Sequence, residues 1–257
     1  MVIDADTHIS PQPEGGLSIH AEELIRRMDK AGVDKALTWV HPPYIKTRLN
    51  EYVQYVYEST KKFPDRLYGL GWVDPHLGIE SAIELTKKCM HEYGFYGIKL
   101  NGSQNGYYID DQELTYPLIE IVAECRGIVA FHSANDDPTH VHPYLVERIA
   151  KDFPDTKILL IHMGGESYGK DLSRSAIEAA EHCKNITLVG SEVVKPSLIM
   201  ALKVLGSNRV AYGSDTPFAH MGAEVAAYKV ILEDIGFSKT EKDQVMGNNI
   251  AKLIGVI

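Results

Sequence analysis

Eight short segments rich in β-forming residues recur along the chain, and a helical pattern follows each of them. This alternation constrains the fold more than any other feature. The segments are residues 1–6, 35–40, 67–73, 97–100, 128–132, 157–162, 186–190 and 209–213. Several, such as ILLIHM and IVAFH, are almost continuously apolar, which suits strands buried on both faces of a parallel sheet. Their ends fall near residues 8, 40, 73, 100, 132, 162, 190 and 214, so successive ends lie 24 to 33 residues apart. One βα unit needs about that many residues, and eight units close a barrel. No glycine-rich phosphate fingerprint follows the first segment, which argues against an open dinucleotide-binding sheet. The expectation is one domain over residues 1–257, an α/β protein built as a (β/α)₈ TIM barrel.

Apolar stripes at helical spacing support the intervening helices. They are Leu24, Ile25, Met28 and Ala31; Ala82, Ile83, Leu85 and Met90; and Leu118, Ile119, Val122 and Ala123. Ser81, Asp111 and Ser167 are candidate N-caps, and Gly32, Gly94 and Gly127 fall where helices should end. The tyrosines at 52, 55 and 57 read as an exposed or interface helix face, which leaves a homo-oligomer open.

The net charge of −9 weighs against nucleic acid and anionic membranes as partners, since both select basic surfaces. The three cysteines, Cys89, Cys125 and Cys183, form no CxxC pair. A disulfide framework is therefore not expected, and a reducing cytoplasm is. The start MVIDADTH lacks the basic region of a signal peptide, and no apolar run reaches about 18 residues. The expected partner is a small-molecule substrate.

In such a barrel, chemistry sits where the strands end. The first segment ends in Asp6-Thr7-His8, the fifth in His132, the sixth in His162 and the eighth in Asp215. Three histidines and two aspartates thus reach one rim. Residues two apart on a strand share a face, so Asp6 and His8 can grip one ion. Imidazole with carboxylate suits Zn²⁺, Mn²⁺ or Fe²⁺. Trp39, His41, Trp72, Asn101, Glu192 and His220 also fall at or just after segment ends and are candidate substrate-binding residues. Segment 133–142, with its acids and histidines, reads as a polar loop at the mouth rather than a second metal site. The loop NGSQNGYY is expected to be flexible, either covering the substrate or serving as a plain connection.

Ile3-Asp4-Ala5-Asp6-Thr7-His8-Ile9, Lys99 in GIKL, His132, Ile161-His162-Met163-Gly164-Gly165 and Gly213-Ser214-Asp215-Thr216-Pro217 together resemble the motifs of the amidohydrolase superfamily. They are most similar to the branch that contains aminocarboxymuconate semialdehyde decarboxylase. The resemblance implies that Asp6, His8, His132 and Asp215 surround one divalent cation, Zn²⁺ in the first instance and Mn²⁺ as the alternative. It implies that His162 stays off the metal as an acid or base. Many members begin with His-x-His where this chain has Asp6-Thr7-His8, which leaves open whether Asp6 ligates directly or through water. Lys99 is expected to neutralise buried carboxylates or bind an anionic group of the substrate, with a structural ion pair as the alternative. The reaction expected first is metal-dependent hydrolysis of a small ester, lactone or amide, with His162 and Asp215 as catalytic groups. Non-oxidative decarboxylation of an aromatic or unsaturated acid is the runner-up, and a non-catalytic binding scaffold the third reading.

Overall fold

A computed structural model describes residues 1–12, 18–165 and 171–257. Among them the strands are β1 (Ile3–Ile9), β2 (Lys35–Val40), β3 (Leu67–Gly69), β4 (Gly71–Trp72), β5 (Gly97–Leu100), β6 (Ile128–His132), β7 (Lys157–Ile161), β8 (Ile186–Val189) and β9 (Val210–Ala211). All pairings are parallel and run in sequence order. β3 and β4 are two halves of one strand, interrupted at Leu70, whose N–H donates to Thr38. The ring closes between the last strand and the first. Ala5 N donates to Tyr212 O (3.0 Å), His8 N to Thr216 O (2.8 Å), and Thr7 bridges Thr216. Eight strands thus form the closed (β/α)₈ barrel that the recurring segments predicted.

The outer layer contains α1 (Ala21–Ala31), α2 (Leu49–Lys62), α3 (Ile79–Lys87), α4 (Gly102–Asn105), α5 (Tyr116–Glu124), α6 (Pro138–Val141), α7 (Pro143–Asp152), α8 (Ser173–His182), α9 (Lys195–Leu205), α10 (Met221–Asp234), α11 (Lys239–Asp243) and α12 (Asn249–Leu253). The apolar stripes face inward as their spacing requires. Leu24 and Met28 of α1, Leu85 of α3, and Leu118 and Val122 of α5 are buried in one core with the strands. Acids at the start of α1, Lys30 in its last turn and Gly32 in the left-handed region fit the helix dipole and its C-terminal geometry.

Several local expectations need correction. Ser81 lies inside α3, which begins at Ile79 after Gly78. Asp111 caps an isolated turn through Glu113 N and Leu114 N, upstream of α5. Ser167 lies outside the described residues. After α5 the left-handed residue is Arg126 (φ 55°), one position before Gly127. The tyrosines of α2 differ: Tyr52 is buried, whereas Tyr55 and Tyr57 are half-buried, with Tyr57 stacked on Tyr93 at 4.3 Å. Pattern alone missed this because a phenol can bury its ring and keep its hydroxyl near water.

The barrel wall also fixes Gly97 on β5. A Cβ there would sit 1.9 Å from the carbonyl oxygen of Ile128 on β6. Gly97→Ala is expected to destabilise the protein by roughly 3 kcal/mol, the upper end for overpacking, and to lower Tm by about 6–12 °C. Thermal unfolding followed by circular dichroism measures it, and an unshifted midpoint would refute the strand contact.

Candidate metal centre and active site

The parallel strands all end on one face, so their terminal side chains converge. A cavity of about 260 Å³ opens there, lined by His8, Pro42, Trp72, Lys99, Asn101, Gln104, His132, Asp136, His162, Glu192, Asp215 and Phe218. Asp6, His8 and Asp215 meet at its base. One ligand atom from each lies within 4.8 Å of the others, and all three residues are buried. Their approach has a backbone cause. β1 carries an irregularity between Asp4 and Thr7, which lets its end swing toward the last strand. Asp215 adopts φ 57° and its N–H donates to Asp6 O at 2.9 Å. Below them Asp4 accepts from Asp6 N, Ser214 N and the Tyr212 hydroxyl, tying both strand ends together.

Among the described residues, five non-glycine positions have positive φ: Arg126, His162, Met163, Glu192 and Asp215. Four of the five belong to this rim. Such strain persists where surrounding structure over-determines it, and it concentrates at functional sites.

The donor set fits a divalent cation. Asp6 Oδ1 is buried and accepts no hydrogen bond. It lies 3.5 Å from His8 Nε2 and 3.9 Å from Lys99 Nζ. His8 Nδ1 is 2.9 Å from Val40 O, so this nitrogen carries the proton. His8 Nε2 is 3.1 Å from Asp215 Oδ1 and also 3.1 Å from the indole Nε1 of Trp39. Donation by Trp39 asks for a bare nitrogen at Nε2, whereas Asp215 asks for a proton there. A cation between His8 and Asp215 removes the need for that proton, since each then offers a lone pair to the ion, and Trp39 keeps its edge-on packing against the imidazole.

The charges around this point have definite directions. Burial alone would raise the Asp6 carboxyl, but Lys99, His8 and His162 outweigh it and hold the carboxyl well below its usual range. Burial likewise opposes charge on His8, yet Asp215 and Asp6 prevail and lift it to about 9 in the metal-free protein. His162 goes the other way, pulled down to about 4 by burial against the opposing pull of Asp215 and Asp6. Its Nδ1 faces Ser191 O and Ser191 Oγ, both at 3.1 Å, and that hydroxyl donates to Asp6 Oδ2 at 2.5 Å. With Nδ1 donating to the carbonyl, Nε2 of a neutral His162 is left as an acceptor. Glu192 is raised to about 7 by burial first and then by Asp215 and Asp6.

A pH dependence of metal uptake follows. The cation needs His8 Nε2 without its proton, and that proton is present below about 9. Uptake therefore releases a proton, and the apparent affinity for Mn²⁺ should weaken by up to about tenfold per unit as pH falls below that value. Calorimetric titration in buffers of different ionisation enthalpy counts the protons. Affinity that stays flat between pH 6 and 8 would contradict the assignment.

The other anticipated residues divide into three groups. Lys99, Trp72, Asn101 and Glu192 line the cavity as expected, and Lys99 also sits 4.2 Å above the ring of Trp39. His132 stands on the same wall, its ring 4.8 Å from that of His162, with Nε2 turned to Asp136 at 3.2 and 3.3 Å. Three residues sit elsewhere than expected. Trp39 is fully buried behind His8 and supports it. His41 is buried with its ring stacked on Phe218 at 4.6 Å, held neutral to about pH 3 by burial and then by His8. His220 is exposed, accepts from Ala223 N as the cap of α10, and lines an outer groove with Arg26 and Lys30.

Gln104, Asp136 and Phe218 reach the cavity without having been singled out as site residues, and Ser191 supports it from behind. Gln104 carried a signal through its place in the NGSQNGYY loop, and Asp136 through the polar segment 133–142. There Asp136 and Asp137 pair with His132 and His140. Asp137 and His142 cap α6 and α7, so the segment is the polar loop that its sequence suggested. The NGSQNGYY loop is not loose, for its first residues form α4.

Residues 3–256 match the family model described as Amidohydrolase. The chain belongs to the amidohydrolase family. This amidohydrolase is 25% identical over 248 residues to 2-amino-3-carboxymuconate-6-semialdehyde decarboxylase of Dictyostelium discoideum, covering 81% of this chain and 66% of that protein. It thus spans just under two thirds of the length of that curated relative. Its fold is similar to 2,6-dihydroxybenzoate decarboxylase from Rhizobium, with a TM-score of 0.78, 15% identity, and coverage of 99% of this chain and 98% of that one. It is also similar to 5-carboxyvanillate decarboxylase from Novosphingobium aromaticivorans, solved with bound manganese, with a TM-score of 0.78, 18% identity, and coverage of 99% and 97%. Among the described residues, no helix is long and apolar enough to cross a membrane.

Proposed function

We propose that this amidohydrolase is a metal-dependent decarboxylase of a small aromatic or unsaturated carboxylic acid. The observation that carries the reading is the buried trio Asp6, His8 and Asp215, with Lys99 and His162 facing the same small cavity. The decarboxylases among its relatives support this reaction over hydrolysis, which has only family membership behind it.

Asp6, His8 and Asp215 would hold the ion, with His132 beside them. A bound divalent cation supplies Lewis-acid charge against the substrate's carboxylate and neighbouring oxygen. Mn²⁺ is the proposed metal and Zn²⁺ the alternative, because two carboxylates with one imidazole suit the harder ion. Lys99, itself buried at the cavity wall, adds a second positive charge where burial weakens screening. Phe218 offers flat apolar surface to a planar acid, and Trp72 lines the cavity from its buried position in the wall. The bond from carbon to the carboxylate breaks, CO₂ leaves, and the electron pair stays on carbon. That carbon takes a proton, so the carboxylate anion and one proton become CO₂ and a C–H product. His162, whose Nε2 can pick up a proton and hand it on, and Asp215 are the proposed donors.

The test is to load the chelated protein with Mn²⁺ or Zn²⁺ and screen hydroxylated aryl carboxylates beside lactones and esters. Release of CO₂ that disappears with chelator supports the proposal. Lactone or ester opening without CO₂ would assign the site to hydrolysis by metal-activated water. An ion-free, chelator-insensitive protein would return it to a binding scaffold.

A further inference from the structure

Behind the substrate cavity lies a buried polar network that none of the chemistry above uses. Trp72 forms one wall of the cavity, its ring centroid 6.3 Å from that of His8. The indole N–H donates away from the cavity, to the hydroxyl of Tyr44 at 3.1 Å. Tyr44 packs edge-on against the same indole, with centroids 5.8 Å apart at 74°. Its hydroxyl also accepts from Asn105 Nδ2 (2.8 Å) and donates to Asp74 Oδ2 (3.4 Å). Asn105 Nδ2 donates again to Asp74 Oδ2 at 2.6 Å. The Asp74 side chain has no exposure, and its other oxygen accepts from His76 N.

Asn105 closes α4, whose opening cap Asn101 and whose Gln104 both line the cavity. The α4 backbone packs closely at Gly102, where a Cβ would lie 2.3 Å from Tyr107 O. One phenol hydroxyl therefore joins the indole wall to the helix that carries two cavity amides.

We propose that Tyr44 is a positioning residue, whose hydroxyl locks Trp72 and α4 into a single rigid face that receives the substrate opposite the metal ligands. As a specificity device this rests on the decarboxylase reading above, although the lock itself does not. The physical reason is entropic and electrostatic. A wall already held in its bound orientation loses little freedom when substrate arrives. A hydrogen-bonded network in a buried setting holds its members more firmly than an exposed one. Removal of the hydroxyl leaves the Trp72 N–H without its acceptor, while Asn105 and Asp74 keep each other.

The variant is Tyr44→Phe, which retains the ring packing, compared with wild type in the protein loaded with diamagnetic Zn²⁺ for the resonances and with Mn²⁺ for turnover. Two readouts separate the lock from the reaction. The first is the pair of indole N–H resonances from the chain's two tryptophans. The Trp72 proton is expected to exchange with water about tenfold faster, as loss of one hydrogen bond allows, while that of Trp39 is unchanged. The second is turnover of hydroxylated aryl carboxylates. KM should rise about tenfold with kcat within about twofold, the pattern of lost ground-state positioning. Asn105→Ala should act in the same direction, and the double variant should cost less than the product of the two single effects. A Trp72 proton that does not respond overturns the proposal. So does a responding proton with unchanged KM, or single effects that multiply. If wild type decarboxylates none of these acids, the functional reading fails, and the indole proton alone then decides the lock.

Discussion

His8→Ala is expected to abolish metal uptake and turnover together. His8 offers Nε2 from the end of β1, and its other nitrogen is fixed on Val40 O at 2.9 Å. Alanine removes a proposed ligand that Val40 O orients, and it leaves Asp6 and Asp215 facing each other without the intervening imidazole. Metal content should fall from about one equivalent to background, and kcat/KM by about 10⁴-fold or more, which corresponds to the several kcal/mol a cation contributes to such a transition state. Elemental analysis of dialysed protein gives the first number and CO₂ release the second. Retention of stoichiometric metal in this variant would remove Asp6, His8 and Asp215 as the centre. The fold should survive, because the backbone bridge from His8 N to Thr216 O does not involve the side chain.

His162→Asn is the complementary case, with metal kept and catalysis lost. Asparagine tolerates the left-handed backbone, which here has φ 65°, better than most residues. It has no ring nitrogen to accept a proton and return it, as the neutral imidazole does. The trio Asp6, His8 and Asp215 remains complete without His162. A fall in kcat of about 10²- to 10⁴-fold is expected, the usual scale for loss of a positioned proton-transfer group, with metal stoichiometry near wild type. If the ion were lost as well, His162 would be a ligand and its assigned role would be wrong. The pairing of outcomes is the diagnostic: His8→Ala and His162→Asn should both lose activity and be opposite in metal content.

Much of this site is legible at the ends of the strands. Asp6, His8, His132, His162 and Asp215 each terminate a β-forming run, and parallel strands must all end on one face, so their convergence follows from the pattern. Lys99, Trp72, Asn101 and Glu192 were found by the same logic. The logic fails where the chain turns away after the strand. Trp39, paired in register with His8, lies fully behind it, and His41 tucks under Phe218. His220 lies beyond a turn and caps a helix instead. Strand position fixes which end of the barrel a residue reaches but not the direction of its side chain once the pleat is broken. Ser191, which bonds Asp6 across 185 positions, and Tyr44, which reaches Asn105 across 61, gave no local signal at all.

Sequence by itself determined the architecture and the chemistry available to it. Eight apolar runs at βα spacing leave few closed arrangements, because strands buried on both faces need helices outside them. The donor types at their ends suit a divalent cation. Only the tertiary structure decided which donors meet, since this depends on the irregularity in β1, the left-handed backbone at Asp215 and the Asp4 clamp, all long-range or conformational. It also decided how the cavity is walled, because Trp72, α4 and Tyr44 become neighbours only when the barrel has closed.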